Sequence, residues 1–131
     1  MQVYQSESKG YKMIFSNQRW GVGYKNFSQD QSLVWQRHLE SDEGFILLSG
    51  ECCLITKDND QIEISWLEKG KFYLVKQNEW HFNLMLNDAE IFIVENNDVA
   101  ESNTENKKLN EKEIDYLKKY DKISNLLNEI S

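Results

Sequence analysis

With 131 residues, 40% of them hydrophobic and 12% aromatic, the chain can bury one core but is too short for two. Its formal net charge of −7 argues against a nucleic-acid surface, which needs clustered Lys and Arg against phosphate, and no stretch approaches the ~20 apolar residues of a membrane span. Residues Met1 to Ser8 carry neither the basic nor the apolar region of a signal peptide, so a cytoplasmic protein without nucleic-acid or membrane partners is expected.

Proline is absent, and turns therefore fall to Gly, Asn, Asp and Ser. From about Tyr11 to Glu95, short apolar or alternating runs are separated by such turn residues, the pattern of an all-β sandwich or barrel. Gly21-Val22-Gly23 reads as a turn or bulge, since it lacks the third Gly and the following helix of a dinucleotide loop. The clear strand runs are Leu33 to His38, Phe45 to Leu48, Cys52 to Thr56, Ile62 to Leu67, Phe72 to Val75, His81 to Leu86 and Ile91 to Val94. Asp58-Asn59-Asp60 and Leu86-Asn87-Asp88-Ala89 are turns between them. A spacing of roughly 10 residues per strand fits antiparallel pairing and leaves no room for crossover helices. Cys52 and Cys53 are neighbours that project to opposite faces of a strand, which argues against a disulfide between them and predicts two small strand residues, one of them buried.

Asn96 to Lys108 is polar and without period. Residues 99–109 are accordingly expected to be a polar linker joining a barrel domain, 1–98, to a C-terminal helix, 110–131. In that helix Ile114, Leu117, Ile123, Leu126, Leu127 and Ile130 recur at three- and four-residue intervals, and Asn110 with Glu113 forms a capping-box pattern. A break is expected near Asp121, and the amphipathic face is expected to cover an open edge or end of the barrel.

Only two histidines occur, His38 and His81. The first lies in Gln36-Arg37-His38-Leu39-Glu40-Ser41-Asp42-Glu43, followed after six residues by Gly50; the second ends the run Gly70, five residues, Lys76-Gln77-Asn78-Glu79-Trp80-His81. Strand side chains alternate faces, so Gln36 and His38 point the same way. If that way is inward, the two blocks meet inside a barrel.

The two blocks resemble the paired motifs of the cupin superfamily, and among its members the small single-domain bacterial ones. The first motif of that family is Gly, five residues, His-x-His, three or four residues, Glu, six residues, Gly; the second is Gly, five residues, Pro-x-Gly, two residues, His, three residues, Asn. His38, Glu43 and Gly50 match the first, and Gly70 and His81 match the second at full spacing. The chain departs from the pattern at Asp30, Gln36, Lys76, Asn78 and Met85. Asn78 is a mild change, because Asn tolerates the left-handed backbone of a tight turn. Gln36 replaces an imidazole by a neutral amide oxygen, a weaker transition-metal ligand.

What the resemblance implies is an all-β, double-stranded β-helix (jelly-roll-like) barrel with a C-terminal helix. It further implies a divalent metal, Fe, Mn, Ni or Zn, held by His38, Glu43 and His81 with Gln36 assisting, at the base of an apolar pocket. Two His and one carboxylate form the facial set that leaves positions open for water, oxygen or substrate. By alternation from Glu43 and His81, Phe45, Leu47, Asn83 and Met85 face inward, and Phe45, Asn83 and Met85 are candidate contacts to a small organic ligand. Three functions stand: a metal-dependent cupin acting on or binding a small molecule, a metal-free ligand-binding module, and a metal-free sugar isomerase-like cupin with His38 or His81 as general base. A homodimer is expected by analogy with small cupins.

Overall fold

The computed structural model describes residues 1–130; Ser131, the last position of the expected helix, lies outside the described residues, as does the Ile130 side chain. Among the described residues ten strands form in chain order: β1 (Tyr11–Ser16), β2 (Trp20–Asn26), β3 (Val34–His38), β4 (Glu43–Ser49), β5 (Cys52–Asp58), β6 (Gln61–Trp66), β7 (Phe72–Val75), β8 (Trp80–Met85), β9 (Glu90–Asn96) and β10 (Thr104–Lys108). Two helices follow, α1 (Glu111–Leu117) and α2 (Asp121–Ile130). The strands build two five-stranded antiparallel sheets, ordered β1-β2-β9-β4-β7 and β10-β3-β8-β5-β6. From β3 onward the chain passes back and forth between them, which is the double-stranded β-helix expected.

Left-handed residues make the turns that proline does not. Asn59, Asn78 and Asp88 have φ of 56°, 69° and 68°, and Gly50 has φ of 71°. Gly50 is required twice over, since a Cβ there would meet the Asp88 carbonyl carbon and oxygen at 2.5 and 2.4 Å. The segment Gly21-Val22-Gly23, expected to be a turn or bulge, lies instead inside β2, with the irregularity opposite it between Met13 and Phe15 of β1. Gly23 is there because the Tyr11 ring lies over it, 2.2 Å from where a Cβ would stand.

The inner faces of the two sheets enclose Phe45, Leu47, Cys52, Leu54, Val75, Met85, Ile91 and Ile93. A second core lies on the outer face of the β10-β3-β8-β5-β6 sheet, where Trp35, Cys53, Ile55, Phe82 and Leu84 are covered by Leu117, Ile123, Leu126 and Leu127. Strand β5 is thus apolar on both faces at Cys52 to Ile55, whereas β8 is apolar outward and carries His81 and Asn83 beside Met85 on its inner face. Cys52 and Cys53 do point to opposite cores as free thiols, but both are buried, not one, because α1 and α2 cover the outer side. Burial pushes each thiol up to about 12, so neither is a thiolate at neutral pH.

The expected linker at 99–109 is corrected. It holds a 3-10 turn, Glu101–Asn103, and β10, which pairs with β3 from Thr104 opposite His38 to Lys108 opposite Val34. As an edge strand, β10 is stabilised by backbone hydrogen bonds and needs no apolar alternation, so Thr-Glu-Asn-Lys-Lys reads as loop in the sequence. The helix begins as expected: Asn110 Oδ1 accepts from Glu113 N at 2.8 Å, and Glu113 Oε1 accepts from Asn110 N at 3.0 Å. The chain breaks between Leu117 and Asp121, where the break was expected. Leu117 sits fully buried at the seam between α1 and the sheet. Leu117→Ala is expected to lower the unfolding free energy in urea by about 2–5 kcal/mol, in one transition; two separated transitions would show the helices unfolding apart from the barrel.

Candidate metal centre

The centre is built by three strands from both sheets. Strand β3 turns Gln36 and His38 to the interior while Trp35, on the opposite face of the strand, packs outward under the helices. The chain then crosses in four residues to the other sheet, where β4 opens with Glu43. Strand β8 supplies His81, cross-strand partner of Gln36 on one side and of Thr56 on the other. The two blocks are tied by their backbones: Asn78 N donates to the His38 carbonyl at 2.8 Å, and Gln77 N donates to Asp42 Oδ1 at 2.9 Å. The left-handed Asn78 thus both turns the chain into β8 and holds that turn against the end of β3.

His38, Glu43 and His81 are 5%, 6% and 3% exposed, and one ligating atom from each lies within 4.8 Å of the others. The outer nitrogen of each ring is engaged. His81 Nδ1 lies 2.9 Å from the Glu79 carbonyl, an acceptor only, so Nδ1 carries the proton and the Nε2 lone pair faces the interior. His38 Nδ1 is 3.0 Å from Thr104 Oγ1 on β10. The inner atoms are different. His38 Nε2 is in close contact with Glu43 Oε2, and His81 Nε2 stands 3.7 Å from the same oxygen. Yet all three atoms are buried without a partner in hydrogen-bond geometry. A buried polar atom left unpaired is costly, and three lone-pair atoms converging on one point fit a cation better than they fit one another.

The electrostatics agree. Burial would push the Glu43 carboxyl up, but the adjoining His38 and His81 rings outweigh it and hold the group down at about 2. Burial would lower the His38 imidazole, and the Glu43 carboxylate raises it overall. Glu95, opposite Glu43 on β9, is raised by its own burial and then by the Glu43 charge.

A cavity of about 700 Å³ opens onto the centre, with Lys25, Gln36, Glu43, His81, Asn83 and Asn106 in its wall. A further recess of about 440 Å³ shares Lys25, Gln36, Glu43, Asn83 and Asn106 and reaches His38 and Glu95. Gln36 lies in this wall with its Nε2 3.4 Å from Asn106 Oδ1. Asn83 lines it too, its Oδ1 accepting from Lys25 Nζ at 2.8 Å. Two expectations are corrected. Phe45 and Met85 are fully buried core residues and do not line the cavity, although the Phe45 ring meets the His81 ring edge-on at 6.1 Å. The pocket is also polar, not apolar, because Lys25, Glu43, Asn83, Glu95 and Asn106 occupy inward positions on five different strands.

Lys25, Tyr11, Glu95, Thr104 and Asn106 are site residues that the sequence reading missed. For Glu95 a signal existed: Ile91, Ile93 and Glu95 share one face of β9, and an acid closing an inward apolar series marks a lined cavity. Lys25 and Tyr11 become visible only once Gly21 and Gly23 are read as strand residues.

No family model and no curated protein matches the sequence. Solved structures do match by shape. The Streptomyces protein PAC13, determined with uridine, superposes with a TM-score of 0.59 over 84% of this chain and 89% of its own, at 11% identity. An RmlC-like cupin family protein with a double-stranded β-helix fold from Methanocaldococcus jannaschii gives 0.55 over 73% of this chain and 90% of its own, at 15% identity. KdgF from Halomonas sp. gives 0.53 over 72% and 87%, also at 15%. Two sheets, the strand order within them and these likenesses agree that the chain has the double-stranded β-helix fold of the cupins.

Proposed function

We propose that His38, Glu43 and His81 hold one divalent transition metal, Fe, Mn, Ni or Zn, and that the protein acts on or binds a small organic molecule in the cavity above it. The observation that carries this is the convergence of three buried, hydrogen-bond-deficient ligating atoms within 4.8 Å. Gln36 faces the same cavity, and with its Nε2 directed to Asn106 its carbonyl oxygen is the end available to a metal or a metal-bound water. A metal held there would supply Lewis-acid polarisation of a bound oxygen and, if iron, redox chemistry. The chain's own part is to fix the His81 tautomer through Glu79, to position His38 through Thr104, and to keep a carboxyl, Glu95, at the wall where a proton can be held. The fold serves many chemistries, so the site and not the fold carries the proposal.

We further propose a cytoplasmic homodimer. Phe72 and Leu74 on β7, the edge of the sheet that the helices leave uncovered, are 56% and 51% exposed and support pairing of that edge.

Elemental analysis of the purified protein beside His81→Ala is expected to find near-stoichiometric metal in the parent and at least tenfold less in the variant. No metal in either after reconstitution would leave the His38–Glu43 contact as the working feature, and with it a metal-free binding or general-base protein. Acidity separates the two states. In metal-free protein Glu43 is lowered from 4.5, so its contribution is present above 4.5 and lost as pH falls toward 2. His38 is raised from 6.5, so its contribution is complete below 6.5 and lost as pH rises through the folded value. The thermal midpoint of metal-free protein should therefore fall as pH rises from about 6 to about 8, and Glu43→Gln should remove that slope. Metal affinity should rise over the same interval, because the imidazoles must be neutral to ligate. Sedimentation of Leu74→Glu is expected to give monomer where the parent gives dimer; an unchanged parent-like dimer would place the interface elsewhere.

A further inference from the structure

Lys25 is an inward residue of β2, directly opposite Ile91 of the core-facing row, and its ammonium lies inside the barrel. Its hydrogen-bond partner is neutral: Asn83 Oδ1, at 2.8 Å. Among the described residues no carboxylate comes within ion-pair distance of it. An ammonium taken out of water without a counter-ion is unfavourable, and burial lowers its pKa accordingly. Glu43 is the carboxylate whose field favours its charge, and a metal on Glu43 would take that charge up.

Asn83 is oriented by this contact. Lysine only donates, so the amide oxygen faces Lys25 and the Nδ2 group is the amide's remaining donor end. Asn83 shares the inner face of β8 with His81 and sits two residues from it, roughly 7 Å along the strand. Gln31, in the wall nearby, is not a competing donor, since it is clipped at both ends to the Met85 backbone, at 2.8 and 2.7 Å.

We propose that Lys25 and Asn83 form an anion subsite and that the ligand of this cavity is a small monocarboxylic acid whose second oxygen function, a hydroxyl or carbonyl, reaches the His38/Glu43/His81 centre. The second half of this statement rests on the metal reading above; the Lys25 subsite does not. A single carboxylate matches the single inward ammonium, since Lys9, the other lysine of the cavity wall, is exposed. A phosphate dianion would face the Glu43 and Glu95 carboxyls in the inner recess, where Lys25 is the one lysine among the described lining residues.

Calorimetric titration with lactate, acetate, inorganic phosphate and the neutral isostere lactamide tests this, using the parent, Lys25→Met, Lys25→Gln and His81→Ala. Lactate is expected to bind the parent at least tenfold more tightly than lactamide or phosphate. Both Lys25 variants should lose at least tenfold in lactate affinity, keep their lactamide affinity and metal content, and melt no lower than the parent, because they remove a half-buried charge that has no ion-pair partner. Metal content in the Lys25 variants equal to the parent's, with lactate affinity also unchanged, would overturn the subsite and leave the metal reading standing. Lys25-dependent binding of both lactate and acetate in a protein that holds no metal would keep the subsite and overturn its link to the centre. Tighter binding of phosphate than of any carboxylate, or no binding of either carboxylate at millimolar concentration, would overturn the proposal.

Discussion

Strand β8 is gripped on both faces, and the rest of the molecule depends on that grip. Phe82 and Leu84 point outward into the core under α1 and α2, while His81, Asn83 and Met85 point inward. A slip of one residue would put Phe82 and Leu84 into the polar cavity and His81 under apolar helices, which is unfavourable on both sides at once. The helices therefore do more than cover an edge. By packing on the outside they fix which way the imidazole on the inside points.

The same sheet carries the electrostatic problem that the fold sets. Bringing Glu43 from the opposite sheet to within reach of two imidazoles buries a carboxylate that needs positive charge near it. His38 can supply it by taking a proton, and a divalent cation supplies it better while also using the His81 lone pair. Lys25 has the complementary problem a short distance away, a half-buried inward cation with an amide for company. The interior thus holds separated charges of both signs, an arrangement suited to a ligand that brings its own charge and its own neutral oxygen.

What was legible in the sequence was what short spacing decides. His38, Glu43 and His81 lie on two compact blocks whose spacing and turn chemistry, Gly50 and Asn78 above all, place them inward whatever the distant chain does. The helix start at Asn110 was legible because a capping box is a four-residue event. Lys25 was not, because its meeting with Asn83 spans 58 positions and no local pattern records it. Strand β10 was hidden because an edge strand facing water and a polar cavity carries no apolar alternation. Phe45 and Met85 show a different limit: alternation tells which face a residue takes but not its depth along the barrel, and at their depth the interior is closed.

Thr104 joins His38 across 66 positions, and it does so from β10, the strand that leads directly into the helices. A ribosome making this protein therefore releases both histidines and Glu43 well before the residue that orients His38 and the helices that hold β8. During that interval the emerging chain offers loosely placed imidazoles and a carboxylate, able to meet a metal but not to shape its coordination. For the metal proposed here, selectivity would consequently be acquired late, once the β10–helix segment docks and the earlier residues lose their freedom.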